Sequence, residues 1–485
     1  MKLDRAAFDA LVLPALEAAR IPGAALAVVA GDEVILAQGF GVRDLDGRLP
    51  MTPETIYPIA STTKSLNATL IGLLVEEGRF AWDTPVQSYL PDFRLGDLFT
   101  SSAVTLRDLL TLRTGLPRHD WTWLENPIDR GELVARLRHL GVSAPLRSRF
   151  QYNNLTATTA GYIAEVVMQK SWEELLKERL LQPLGMSSTT FELPGVENET
   201  RSYHENSQRR IEVTQRLATE VTAPSGGSVH STVLDMARWV ALNLNSGRIA
   251  CQSVVKAETL REIHTPQVFV GAEPSSPAPN SAYAMGWFAY YYNGYECLSH
   301  GGYLHDVNSD VMLFPKERIG VVCFTNFGFP SLARHINYHA VGQVMGFRPA
   351  QTLQATLDEY ERKVVENRKR IGSSHRVMHT APSHSLRDYA GNYLHPGYGR
   401  VSIEKAGAQL VFHRNRLIVP LEHWHYDVWV PQDLGRFFVH IPHSFDRSSR
   451  IMFESNADGE ISALSIPLEP AVAAIRFTRQ ASRSP

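Results

Sequence analysis

Cysteine is nearly absent: Cys251, Cys297 and Cys323 are the only three in 485 residues, odd in number and far apart. That argues against a disulfide framework or a cysteine metal knuckle and fits a reducing compartment. Long apolar runs are missing too, since none nears the roughly 20 residues needed to span a bilayer. The N-terminal stretch MKLDRAAFDALVLPALEAAR interleaves Asp4, Asp9 and Glu17 with apolar residues at helical spacing, so it reads as an amphipathic helix and not as the apolar core of a signal peptide. A cytoplasmic location without membrane contact is expected. Nor is there an excess of either charge: 48 basic and 50 acidic side chains leave a formal charge of -2. Nothing in that balance draws the chain to nucleic acid, and a small, nearly neutral partner is expected. There is no internal repeat and no low-complexity tract. Gly39-Phe40-Gly41 lacks the third glycine of a nucleotide loop and reads as a turn. The absence of a Gly-x-Ser-x-Gly elbow removes the α/β-hydrolase architecture.

What is present is enough chain for two or more domains. GAALAVVAGDEVILAQGFGVRD reads as two strands joined at Gly31-Asp32, a hairpin of an antiparallel sheet. From about Thr62 to Glu77, Leu66, Leu70, Leu73 and Leu74 recur at helical spacing, with Gly78 just beyond. The stretch from roughly 100 to 245 is rich in such helical segments. Ser309 to Phe314 and Ile319 to Thr325 are two further strands around the turn Pro315-Lys316-Glu317-Arg318. Near residue 350 the character changes: LQATLDEYERKVVENRKR is a polar helix and IGSSHRVMHTAPSHS a loop. Beyond them, GRVSIEK, AQLVFHR, DVWVP, RFFVHIP and ALSIPL alternate and are closely punctuated, the pattern of an all-β barrel or sandwich. The expected fold class is α+β, an antiparallel sheet flanked by helices with an all-α subregion, followed by a C-terminal barrel-like domain. The expected division is 1–350, a linker at 351–384 and a β-domain at 385–482.

The chemistry gathers on a few short motifs. Ser61-Thr62-Thr63-Lys64 is a Ser-x-x-Lys at a helix start, and a spacing of three puts Ser61 and Lys64 on one face. A serine hydroxyl needs a base to become a nucleophile, and a lysine serves if burial or a second cation lowers its pKa. The helix N-terminus favours negative charge developing on an acylated carbonyl. Taken alone, the tetrad also reads as a helix cap followed by a solvated lysine. Tyr152-Asn153-Asn154, about ninety residues further on, adds a Tyr-x-Asn, and Ser299-His300-Gly301-Gly302 opens a strand-like segment.

Three elements in this order and spacing resemble the class C β-lactamase, D-aminopeptidase and family VIII esterase branch of the penicillin-recognising serine hydrolases. MTPETIYPIASTTK, LRDLLTLRTGLP, QPLGMSSTTF, APSGGSVHSTVLDMARW and AMGWF carry the likeness across roughly residues 10 to 345. The resemblance implies Ser61 as nucleophile, Lys64 and Tyr152 as its general-base pair, and Asn154 against the substrate amide. It implies His300 where other members place a lysine, Gly302 beside it, and an oxyanion hole from the backbone N–H groups of Ser61 and Tyr303. No cofactor is implied. Tyr303, His305 and Asp306 stand where relatives usually have small residues, so the acyl pocket is expected to be reshaped, with His305 and Asp306 as candidates for its wall. Arg113 replaces a histidine common among relatives.

The reaction so implied is hydrolysis of a small amide, peptide or ester through an acyl-serine, with a slight preference for an amide or D-amino-acid peptide because Asp306 or His305 would pair with a substrate amine. A carboxylesterase, an acyltransferase and a silent ligand sensor are the alternatives, and a homo-oligomer is left open. The C-terminal domain resembles the lipocalin-like module of some family members. It is expected either to tune access or assembly or to be a spacer with no catalytic influence, and in both cases to be dispensable for acylation. Trp121 and Trp123 suit either a pocket rim or a core. His423, His425, His440 and His443 lack the partners of a metal site, and no metal is expected.

Overall fold

The computed structural model describes residues 5–192, 195, 197–206, 208–250, 252–271, 280–329, 332–372, 376–432 and 449–481. Helix α1 (Arg5–Ala18) leads into the hairpin β1 (Gly23–Ala30) and β2 (Glu33–Asp44), which turns at Gly31-Asp32 as expected. A short β3 (Leu49–Pro50) follows. Helices α2 (Thr63–Glu76), α3 (Leu155–Met168) and α4 (Val233–Leu244) belong to the middle of the chain. Strands β4 (Val268–Gly271), β5 (Ser281–Tyr283), β6 (Phe288–Tyr292), β7 (Tyr295–Leu304), β8 (Val307–Phe314) and β9 (Ile319–Thr325) come next. Helices α5 (Leu332–Met345) and α6 (Leu353–Gly372) close this part.

All nine strands form one antiparallel sheet in the order β4-β5-β6-β7-β8-β9-β1-β2-β3. The N-terminal hairpin thus joins a sheet completed by the later segments, as Ala24 opposite Thr325 shows. Successive side chains of a strand point to opposite faces, and β1 is buried on both. Ala25, Ala27 and Val29 enter a core shared with α2, α3 and α4, whereas Ala24, Leu26 and Val28 enter a second core with α1 and α5. That two-sided burial is why GAALAVVA reads as an unbroken apolar run.

Beyond α6, eight strands close an antiparallel up-and-down barrel: β10 (Gly391–His395), β11 (Gly399–Ala406), β12 (Gln409–Arg414), β13 (Leu417–His425), β14 (Val428–Pro431), β15 (Ile451–Ser455), β16 (Ile461–Ile466) and β17 (Ile475–Arg479). Among the described residues, closure between β10 and β17 leaves the barrel no free sheet edge. The predicted strand RFFVHIP lies outside the described residues, as do Cys251, His440 and His443. Among the described residues no helix is long and apolar enough to cross a membrane.

Candidate active site

Ser61 lies on a short helical turn, Ala60–Thr62, that runs directly into α2. The preceding Ala60 takes a left-handed φ of 48°, which costs an L residue about 1–2 kcal/mol. Its neighbours hold it there. Ser309 Oγ donates to Ile59 O at 2.6 Å, Ser309 Oγ is 2.8 Å from Thr62 Oγ1, and Ile59 N donates to Val229 O at 2.9 Å. Two glycines permit the close packing. A Cβ on Gly302 would stand 2.3 Å from Ile59 O, and one on Gly226 would stand 2.2 Å from Ala60 O.

One turn on, Lys64 is 2% exposed. Its Nζ lies 3.1 Å from Ser61 Oγ, 2.6 Å from Asn154 Oδ1 and 2.8 Å from Ser225 O. The Tyr152 ring centroid is 4.8 Å from Lys64 Nζ, and the Tyr152 hydroxyl is influenced by the neighbouring Ser61. The Tyr-x-Asn motif is presented by its middle residue. Asn153 Oδ1 accepts from Thr156 N at 2.9 Å, capping α3, and its Nδ2 donates to Leu116 O at 3.0 Å. Anchored there, the chain turns Tyr152 and Asn154 to the cavity beside Ser61.

Two charged residues that sequence reasoning passed over complete the group. Arg118 Nε donates to Asp120 Oδ2 at 2.7 Å, and the guanidinium lies 5.0 Å from the Tyr152 ring centroid. The other oxygen, Asp120 Oδ1, accepts from Trp123 Nε1 at 3.1 Å and Asn154 Nδ2 at 3.2 Å. A carboxylate only accepts, so Asp120 turns the Asn154 amide to present its oxygen to Lys64. The signal in sequence is the charged triplet Arg118-His119-Asp120 between the Gly115-Leu116-Pro117 turn and two tryptophans.

Electrostatics sort the titratable groups by role. Burial, aided by the Arg118 cation and opposed by Asp120, holds the Lys64 amine well below the usual lysine range. Burial also pushes the Tyr152 phenol up to about 12, against the pull of Arg118 and the neighbouring Ser61 hydroxyl. His300 is pulled down to about 3 by burial and by Lys64. Its Nδ1 lies 2.7 Å from Gly301 O, which can only accept, so Nε2 receives the Tyr283 hydroxyl at 3.0 Å. His300 therefore stands in the site as a neutral ring, and the cation beside Tyr152 is Arg118.

Strand β7 supplies the facing wall. His305 and Asp306 form the two-residue turn to β8 with φ of 51° and 59°, the left-handed pair of a tight hairpin. In that register Leu304 and Val307 bond to each other, and Tyr303, one residue back, directs its N–H away from β8. Strand β6 pairs only as far as Ser299, so this edge of β7 faces the Ser61 turn. Asp306 accepts from the Tyr303 hydroxyl and, at 2.7 Å, from Thr214 Oγ1, while His305 Nε2 accepts from Leu217 N at 3.1 Å. Burial holds His305 at about 3.

All of the sequence-predicted residues except Lys64 line one cavity of about 520 Å³: Ser61, Tyr152, Asn154, His300, Gly302, Tyr303, His305 and Asp306. Lys64 is packed behind its wall. Arg118, Asp120, Trp123, Phe288 and Arg334 line it as well. Trp123 is thus at the pocket, whereas Trp121 is core, 3% exposed. Arg113 is not brought to the cavity; it pairs with the buried Asp108 at 2.7 Å. His423 and His425 hydrogen-bond Tyr426 O and Val377 N, and no metal-holding cluster occurs among the described residues.

Residues 8–346 match the Beta-lactamase family, and the chain belongs to it. It is thereby a member of a family of serine hydrolases. Residues 375–479 match a domain of unknown function, DUF3471. Among individual relatives, the chain is 27% identical over 422 residues to an unguisins hydrolase of Aspergillus campestris, covering 82% of this chain and 77% of that one. In structure it is similar to an octameric penicillin-binding protein homologue from Pyrococcus abyssi, at a TM-score of 0.65 and 22% identity, covering 98% of this chain and 100% of that one. It is also similar to the D-alanine carboxypeptidase AmpC from Burkholderia cenocepacia, at a TM-score of 0.57 and 19% identity, covering 70% and 98%. At these identities the two structures establish the shared fold.

Proposed function

We propose that the protein hydrolyses an amide or peptide bond of a small substrate through an acyl-enzyme on Ser61. The observation that carries this reading is the buried Lys64 amine, 3.1 Å from Ser61 Oγ and depressed in pKa by burial. A neutral amine takes the Ser61 proton as Oγ attacks the carbonyl carbon. Tyr152, kept protonated by burial and lining the cavity with Ser61, passes a proton to the leaving group and recovers it through Lys64. The backbone N–H groups of Ser61 and Tyr303 receive the developing oxyanion, helped by the start of α2. Water then frees the acyl group. The Asp306 carboxylate on the cavity wall favours a substrate with an amine, as in a D-amino-acid peptide. The hydrolase and carboxypeptidase names of the relatives agree with this class.

The second reading is a carboxylesterase or acyltransferase, favoured by the apolar wall of Trp123, Leu124, Leu217 and Phe288. In either case catalysis is assigned to residues 1–350, the linker to 351–384 and a lipocalin-like barrel to 385–482. A panel of D-aminoacyl p-nitroanilides and p-nitrophenyl esters separates the two. Turnover of anilides that disappears in Ser61→Ala is expected; rapid ester cleavage with every anilide inert overturns the amidase reading in favour of the esterase.

A further inference from the structure

The C-terminal barrel contributes no lining to the catalytic cavity; among the described residues the lining comes from positions 60 to 334. It nevertheless grips the loop that carries Arg118 and Asp120. His119, between them, is fully buried and has a left-handed φ of 45°. A non-glycine residue persists there only where its surroundings over-determine it, and at His119 they do. Its Nε2 lies 2.8 Å from Gly141 O and must donate to it, so Nδ1 accepts the Tyr398 hydroxyl at 2.7 Å. Its backbone N–H donates to Glu469 Oε2 at 3.0 Å. Tyr398 and Glu469 both belong to the barrel domain.

The grip continues along the loop. Arg414, 4% exposed at the end of β12, donates to Trp121 O and, at 3.0 Å, to Leu124 O. Arg416 makes a two-pronged contact with Glu125 at 2.5 Å on each side, and Glu125 also accepts from Ala218 N at 2.7 Å. The loop is thus tied to the barrel at His119, Trp121, Leu124 and Glu125, while Arg118, Asp120, Trp123 and Leu124 line the cavity.

We propose that the barrel is a positioning element of the active site: Tyr398, Glu469 and Arg414 fix the His119 kink and the loop after it, so that Asp120 orients the Asn154 amide and Arg118 lies over Tyr152. This replaces the expectation that the barrel acts on access or assembly and is dispensable for acylation. The proposal rests on the acyl-serine reading only for its kinetic readout. Displacing the loop takes Arg118 and Asp120 from Lys64 together. The other titratable groups facing Lys64, Tyr152 and His300, stay in place. Arg118 is the stronger of the two influences on the lysine, so its loss moves the acid limb of acylation to higher pH.

The test compares Tyr398→Phe, Glu469→Gln and the double variant in the full-length protein with Ile451→Ala. The last removes a fully buried side chain from the barrel core away from the loop. Acylation is followed across pH as the burst with a p-nitrophenyl ester; a fluorophosphonate, which phosphonylates the same hydroxyl, labels Ser61 separately, and the double variant is crystallised. The double variant is expected to acylate at least tenfold more slowly, with its acid limb moved upward and the Asp120 to Asn154 hydrogen bond broken in the crystal. Ile451→Ala, though less heat-stable, should keep the wild-type rate and profile, and Tyr398→Phe alone should show a smaller loss in the same direction. Unchanged acylation in a folded double variant, or a crystal structure with the loop and its Asn154 contact intact, overturns the proposal. A wild-type enzyme that takes no label at Ser61 would instead sink the acyl-serine reading, with the crystal structure still deciding the barrel's role.

Discussion

Replacing Gly226 by alanine should disable the proposed nucleophile, Ser61, more than it destabilises the fold. An alanine Cβ there would stand 2.2 Å from Ala60 O, 2.3 Å from Ala60 C and 2.8 Å from Ser61 N, all backbone atoms, where ordinary contact begins at 3.4 Å. No rotamer relieves that overlap, so the Ser61 turn or the Gly226 segment must shift by about 1 Å. A displacement of that size at a reacting group costs about 100-fold in rate, or about 2.7 kcal/mol of transition-state stabilisation. The left-handed φ of 118° adds a backbone cost in stability of about 1–2 kcal/mol. Gly78 makes the comparison clean. Its φ is 70° but a Cβ there would meet nothing within 4 Å, so Gly78→Ala carries the backbone cost without the clash. Thermal melts and the acylation burst with a p-nitrophenyl ester read the two effects apart. Both variants should melt lower, and only Gly226→Ala should lose its burst rate by about two orders of magnitude. A wild-type burst in Gly226→Ala, or an equal loss in Gly78→Ala, would refute the steric reasoning.

Other consequences follow from the same geometry. Lys64→Ala and Tyr152→Phe should each lower kcat by about 10²–10⁴-fold, and the double variant should be little worse than the weaker single, because groups acting on one proton are not additive; fully multiplicative losses would place them in separate steps. Acylation should rise with pH as Lys64 loses its proton, through a midpoint below the ordinary 10.5 of a lysine, and stopped-flow profiles of Lys64→Ala should lack that limb. Stability should fall on acidification, because His300 and His230 are each held at about 3 in the fold, by burial first and neighbouring cations second. Their unfolded forms take up protons below about 6.5, so the stability is whole above that pH and is lost toward 3, about 2 kcal/mol per histidine by pH 5. Urea titrations at pH 5 and pH 8 check this, and His300→Gln should flatten the difference.

Much of this architecture is legible locally. The Gly31-Asp32 turn, the Ser61 helix with its Gly78 stop and the strands on either side of Pro315 announce themselves through period and turn chemistry within a few residues. So do most barrel strands, whose inward and outward positions alternate. The order of the nine-stranded sheet is not local, because Ala24 pairs with Thr325 and nothing near either residue encodes the other. The same holds for the loop that carries Arg118 and Asp120. Ser61, Lys64, Tyr152 and Asn154 sit in recognisable spacings, whereas Asp120 matters through an Asn154 amide 34 positions away and His119 through a tyrosine 279 positions away. Contacts of that separation leave only a charged triplet in an apolar stretch as their trace. His300 shows the opposite limit: its place was legible, but its neutrality depends on burial that sequence does not print.

The central claim is that Ser61 is the residue acylated, activated by Lys64. Incubating the wild-type protein with a labelled fluorophosphonate at pH 8 and mapping the adduct by peptide mass spectrometry tests it most directly. One stoichiometric adduct on the peptide containing Ser61, lost in Ser61→Ala and slowed at least tenfold in Lys64→Ala, is the expected result. A folded protein that takes up no label, or carries it on another residue with Ser61→Ala labelling normally, would contradict it.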